Sequence, residues 1–127
     1  MSFLISLLIF LSASFKGVKK NSTLIENEIN KLKEKKKKNQ PTKIKTSGST
    51  FKNPFIKSKK KVWELIKENV KLDQSFGDAY ISQKHCNFFV NKGNASFDDM
   101  NRLINYVSRE VYKKTGIKLE KEIKILE

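Results

Sequence analysis

Apolar positions recur along this chain with two different periods. In "NASFDDMNRLINYVSREVYKKTG", Met100, Leu103, Ile104, Val107 and Val111 fall three and four apart, the spacing that lines one face of a helix. Ser96 followed by Asp99 predicts its N-cap, and Gly116 its end. "KKKVWELIKENV" predicts a shorter helix, with Val62, Leu65 and Ile66 on one face and Trp63 beside them. A third helix is predicted over "NSTLIENEINKLKEKKKK". There Thr23 and Glu26 have capping-box spacing, and Ile25, Ile29 and Leu32 make a narrow stripe. Lysines 35–38 then occupy its C-terminal end, where the helix dipole favours cations.

Elsewhere the pattern is strand-like. "DAYIS" and "CNFFVN" read as two short strands separated by "QKH". The tail "IKLEKEIKILE" sets Ile117, Leu119, Ile123 and Ile125 against Lys118, Glu120, Glu122 and Lys124, as a half-buried strand would. "NQPTKIKTSGSTFKNP" reads as a connector, punctuated by Pro41, Gly48 and Pro54. Together these elements predict an α+β domain, a small sheet with packed helices, from about residue 47 to the end. The uncharged run Phe3–Phe15 is short for a membrane span and has no charge before it, unlike a secretory signal. It reads as a buried strand, with a signal or an anchor as the alternatives.

Charge changes this picture only locally. The net charge is +14, and residues 31–60 hold twelve lysines against one glutamate. Polyanions would be attracted to such a stretch. Yet only Arg102 and Arg109 are arginines, whereas specific phosphate and base recognition leans on the guanidinium fork. A solvated last helical turn and a lysine-favouring codon bias explain the run as well. Cys86 is the only cysteine, which forbids an intrachain disulfide and suits a reducing, cytoplasmic compartment. With His85 the only histidine, no structural zinc site is expected.

The candidate chemistry lies in "SGSTFKNP", residues 47–54. Gly48 permits close approach of a backbone to a ligand, and Ser49 offers a hydroxyl that can give or take a proton. Lys52 and Asn53 supply a cation and an amide suited to a phosphate or a sugar hydroxyl. By spacing alone a Ser/Gly turn leading into a helix explains the same residues. His85 invites a general-base role, but a lone histidine beside a strand is more often packed. No glycine-rich phosphate loop is present.

The string "SGSTFKNP" followed by "AYISQKHCNFFVN", "GNAS" and the closing "GIKLEKEIKI" resembles the UDP-N-acetylenolpyruvoylglucosamine reductase (MurB) family, from about Asn39 to Ile125. The family consists of flavoenzymes of peptidoglycan precursor synthesis. The resemblance implies that NADPH reduces bound FAD, which passes hydride to C3 of the enolpyruvyl ether, C2 then being protonated. It implies Ser49 as proton donor, Glu122 as its assistant and Asn53 in the substrate pocket, with Lys52 a weaker substrate contact. It also implies residues 1–40 as a strand and helix of the FAD lobe, 41–46 as a linker and 47–127 as the C-terminal substrate-closing domain. "IFLSASFKG" fits the strand reading of the first run.

Nothing in the chain matches the family's FAD phosphate loop or upstream catalytic arginine. The expected partners are therefore the UDP-sugar and an FAD-binding half, with no specific nucleic acid and no membrane. The chain alone is expected to be incomplete and inactive. The alternatives are a small basic RNA- or ribosome-associated protein stacking bases on Phe51, Phe55 or Trp63, an inactive stand-alone remnant, and a membrane-anchored basic peptide.

Overall fold

In the computed structural model, which describes residues 11–125, three helices and four strands follow one another. They are α1 (Ser22–Asn39), β1 (Lys45–Ser49), α2 (Val62–Asn69), β2 (Ser75–Phe76), β3 (Ala79–Ile81), β4 (Phe88–Asn91) and α3 (Phe97–Thr115). The strands form one antiparallel sheet in the order β1-β4-β3-β2. This is the expected small α+β arrangement.

The chain divides into two units, residues 1–32 and 33–127. In the first, residues 11–20 carry neither helix nor strand, so residues 11–15 do not form the expected strand. Residues 3–10 lie outside the described residues. A strand exists only through hydrogen bonds to a neighbour, and among the described residues none pairs with this segment. α1 begins two residues earlier than expected. Asn21, not Thr23, caps it, its Oδ1 accepting from the backbone N–H of Thr23 (2.9 Å) and Leu24 (3.4 Å). None of its residues is buried, and the predicted stripe of Ile25, Ile29 and Leu32 is exposed.

The second unit holds the core. α2 buries Val62, Leu65 and Ile66, and α3 buries Leu103, Ile104, Val107 and Val111, on the faces their spacing indicated. These pack with Phe51, Ala79, Ile81 and Phe89. Ser96 and Asp99 form the reciprocal cap of α3: Ser96 Oγ accepts from Asp99 N at 3.1 Å, and Asp99 Oδ2 accepts from Ser96 N at 2.9 Å. The bonds from the Ser96 backbone and hydroxyl hold the Asp99 carboxyl below its ordinary range. Gly116 ends α3 at φ +70°. Gly77 opens the two-residue β2–β3 turn at φ +51°, and a Cβ there would lie 2.8 Å from the same capping carboxylate.

Three parts differ from expectation. "KTSGS" is the edge strand β1 rather than a connector, because β4 offers it a ladder. "SF", just before β3 and not expected as a strand, forms the two-residue β2. The alternating tail is no continuous strand. It makes one bridge, Phe51 with Lys121, although Leu119 is buried and Ile117, Ile123 and Ile125 are half-buried as the alternation required. No described helix is long and apolar enough to cross a membrane, and the described residues hold no cluster of three metal-ligating side chains.

Thr50 is buried at 1 % exposure, and its Oγ1 has no hydrogen-bond partner among the described residues. A buried hydroxyl without a partner is destabilising. Thr50→Val keeps the branched shape without the polar atom and should raise the unfolding free energy by about 1 kcal/mol in a urea titration. A loss of stability instead would mean that the hydroxyl is satisfied.

Candidate active-site cleft

The segment from Ser49 to Asn53 fastens three other parts of the chain. It begins at an irregularity: Thr46 pairs with Val90 and Ser49 with Phe88, so β1 carries one more residue than β4 between the two pairs. Such a bulge bends the strand and re-aims the side chains that follow. Gly48 occupies it at φ +88°, and an added Cβ would meet nothing within 4 Å. The positive φ, not crowding, therefore calls for glycine. Thr46 Oγ1 steadies the bulge, donating to Phe89 O (2.8 Å) and accepting from Gly48 N (3.2 Å).

Beyond the bulge, Thr50 N donates to Asn87 O at 2.8 Å. The Asn87 side-chain amide then takes both backbone groups of Phe51. Its Oδ1 accepts from Phe51 N at 3.0 Å, and its Nδ2 donates to Phe51 O at 2.9 Å. On the other edge, Lys52 N donates to Glu120 O and Glu122 N to Thr50 O, each at 2.9 Å, which brings the tail alongside. Asn53 Oδ1 accepts from Val62 N at 3.0 Å and so fixes the first turn of α2.

These ties gather Ser49, Phe51, Asn53, Lys61, Val62, Trp63, His85, Asn87 and Glu122 around one open cleft of about 210 Å³. Of the residues expected from the sequence, Ser49, Asn53 and Glu122 meet here. Lys52 does not. It pairs with Glu120, whose carboxyl this contact holds below the usual range, beside a separate concavity that also includes Pro54, Phe55 and Lys118.

His85 is packed as its position suggested, its ring edge-on to Phe88 with centroids 4.9 Å apart. It nevertheless borders the cleft. Its Nδ1 accepts from Asn87 N at 3.4 Å, and burial lowers its pKa. A neutral imidazole carrying its proton on Nε2 follows. Cys86 is no part of this site. Its thiol donates to Trp63 O at 3.0 Å, and burial pushes its pKa up.

Sequence reasoning missed Asn87, Lys61 and Trp63. Asn87 stood within the quoted "SQKHCNFFVN" without a role, because an asparagine that will be buried looks like one in a surface turn. Chemically the cleft combines a hydroxyl, two amides, a neutral imidazole, one ammonium and one carboxylate, a set suited to a polar, hydroxyl-rich ligand and a single proton transfer.

Comparison with known proteins places the chain in a family. Residues 40–126 match the family model described as UDP-N-acetylenolpyruvoylglucosamine reductase, C-terminal domain. The UDP-N-acetylenolpyruvoylglucosamine reductase of Pelagibacter ubique (strain HTCC1062) is 72 % identical over 119 residues, which are 94 % of this chain and 39 % of that protein. That of Wolbachia sp. subsp. Drosophila simulans is 42 % identical over 118 residues, 93 % and 39 % of the two chains. This chain thus spans about 39 % of the length of the curated relatives it matches. The crystal structure of UDP-N-acetylenolpyruvylglucosamine reductase (MurB) from Thermus caldophilus superposes with a TM-score of 0.68 at 31 % identity, over 84 % of this chain and 36 % of that one.

Proposed function

This chain belongs to the UDP-N-acetylenolpyruvoylglucosamine reductase family through its C-terminal domain, and from that membership we propose that it holds the enolpyruvyl UDP-sugar and protonates it. The reaction converts UDP-N-acetylglucosamine enolpyruvate to UDP-N-acetylmuramate for peptidoglycan precursors, in the cytoplasm, with FAD and NADPH as the redox cofactors. The single observation that carries the reading is that Ser49, Asn53 and Glu122, from opposite ends of the domain, border one cleft. Residues 1–40 then belong with a flavin lobe and 47–127 with the substrate-closing domain, while the expected linker 41–46 is shortened by Lys45 and Thr46, which pair in β1.

The described residues do not fit the flavin. No glycine-rich turn precedes any of the three helices: α1 follows "KKN", α2 follows "KKK" and α3 follows "NAS". The hydride half of the chemistry is therefore assigned to no residue here, and this chain supplies the proton half. In that half Ser49 Oγ–H gives its proton to C2 of the enolate. A hydroxyl is a weak acid, so the catalytic effect comes from fixed geometry and from stabilising the enolate. The Asn53 Nδ2 and the His85 N–H are donors that can hold the sugar or its carboxylate, and Glu122 lies on the tail segment, its backbone N–H bonded to Thr50 O. Lys52, paired with Glu120 and not bordering the cleft, keeps only the weaker substrate contact in this reading.

The test is a titration of the isotope-labelled full chain followed by amide resonances. The enolpyruvyl UDP-sugar, at up to about 1 mM, should shift Ser49, Asn53, the Trp63 indole and Glu122, while FAD added instead should bind in no stoichiometric amount. Shifts confined to other faces would overturn the substrate reading. Retained flavin at one per chain would overturn the division of labour.

A further inference from the structure

Among the buried polar residues, one holds the backbone that follows Ser49 by its own side chain. Asn87 is 3 % exposed and makes three hydrogen bonds to two consecutive residues: its carbonyl to Thr50 N, its Oδ1 to Phe51 N and its Nδ2 to Phe51 O. Two of these are the bonds a neighbouring strand would make. The sheet cannot supply that strand, because before Phe88 the chain turns tightly, with Phe88 N bonded to His85 O and Ser82 N to Phe88 O. A side-chain amide is chemically a peptide group, so asparagine can extend the ladder where no backbone is in reach.

From this geometry we infer that Asn87 is a positioning residue for Ser49, setting where the hydroxyl stands against the substrate carbon. The inference rests on the function proposed above. Ser49 lies between the bulge at Gly48 and the clamp at Phe51. The bulge leaves one residue of the strand unpaired, so the clamp fixes the side that the ladder does not. α2 and α3 bury their faces independently of this amide. Its loss should therefore leave the fold standing while Ser49 drifts. A displacement of an ångström at a reacting group is enough to lower a rate by about a hundredfold.

The experiment uses a hybrid holoenzyme in which this full chain replaces the corresponding 119 residues of the Pelagibacter relative. Asn87→Asp has the same shape, but its ionised form turns an acceptor toward Phe51 O. In its neutral form the carboxylic acid has one donor and one acceptor and can remake both bonds. Burial raises a carboxyl pKa, so the neutral form is regained as the pH falls from about 8 toward 5.5. The titratable groups bordering the same cleft are His85, Lys61 and Glu122, so each rate is taken relative to the parent hybrid at the same pH.

The expected result is a kcat for Asn87→Asp lowered about tenfold to a hundredfold at the upper pH, with KM little changed and the deficit closing as the pH falls. Asn87→Ser, smaller and uncharged, takes its place should the aspartate variant not fold, and should show the lowered kcat without pH-dependent rescue. A folded variant with parental kcat at the upper pH overturns the inference, as does a loss shared equally by KM. Ser49→Ala run alongside separates the two failures. Should it keep full activity, the proton-donor reading fails first. Should it lose activity while the Asn87 variants keep theirs, only the positioning role fails.

Discussion

Replacing Ser49 by alanine in the hybrid holoenzyme should lower kcat by roughly a hundredfold to ten-thousandfold, the range general acid catalysis contributes, while KM stays within about threefold of the parent. The proton delivered to C2 has to come from a group at the carbon, and a methyl group has none to give. On the proposed function, the Asn53 amide, the His85 imidazole and Lys61 of the cleft would share substrate binding, so removing one hydroxyl should change ground-state binding little. The fold should not suffer either. The Ser49 hydroxyl makes no hydrogen bond with a described residue, and the residue is only half-buried. Ser49→Cys, which keeps an acidic hydrogen, should recover part of the loss. Unchanged turnover in the alanine variant would move the donor role elsewhere in the cleft, with His85 and Glu122 the groups to replace next.

Phe51→Ala should cost about 3–5 kcal/mol of stability, a large share of the roughly 5–15 kcal/mol typical of a folded domain. Phe51 is 1 % exposed, and its ring stands edge-on to Phe89 with centroids 6.0 Å apart, against the core made by α2 and α3. Removing it leaves a cavity beneath the segment that carries Ser49 and Asn53. A urea titration of the full chain measures the loss, and Phe51→Leu, which refills most of the space, should cost under about 2 kcal/mol. An alanine variant within about 1 kcal/mol of the parent would show that the site segment does not rest on this core. The backbone clamp from Asn87 does not involve the Phe51 ring. Losses at the two positions therefore have separate origins, one in packing and the other in hydrogen bonding.

The candidate site was legible only in part. Ser49, Asn53 and Glu122 came from the resemblance of whole strings such as "SGSTFKNP", since spacing alone favoured a plain Ser/Gly turn. Lys52 belonged to the same string, yet alternation along an extended segment sends neighbours to different sides. Its ammonium pairs with Glu120, away from the cleft. Asn87 carried no local signal, because its function is to replace a strand that is absent.

What the sequence determined by itself were the elements that need only local physics. α2 and α3 have their apolar faces, and α3 its Ser96–Asp99 cap and Gly116 stop, written within each segment. β3 and β4 were equally plain from their runs of apolar and aromatic residues. The tertiary structure alone decided β1, a polar, glycine-containing segment that becomes a strand because β4 pairs with it. It alone decided that the alternating tail closes on the chain through one bridge at Phe51 rather than as a full strand. It also decided the cleft. Periodicity reports which face of an element will be buried, whereas pairing and convergence depend on partners far along the chain, and those become neighbours only when the core has closed.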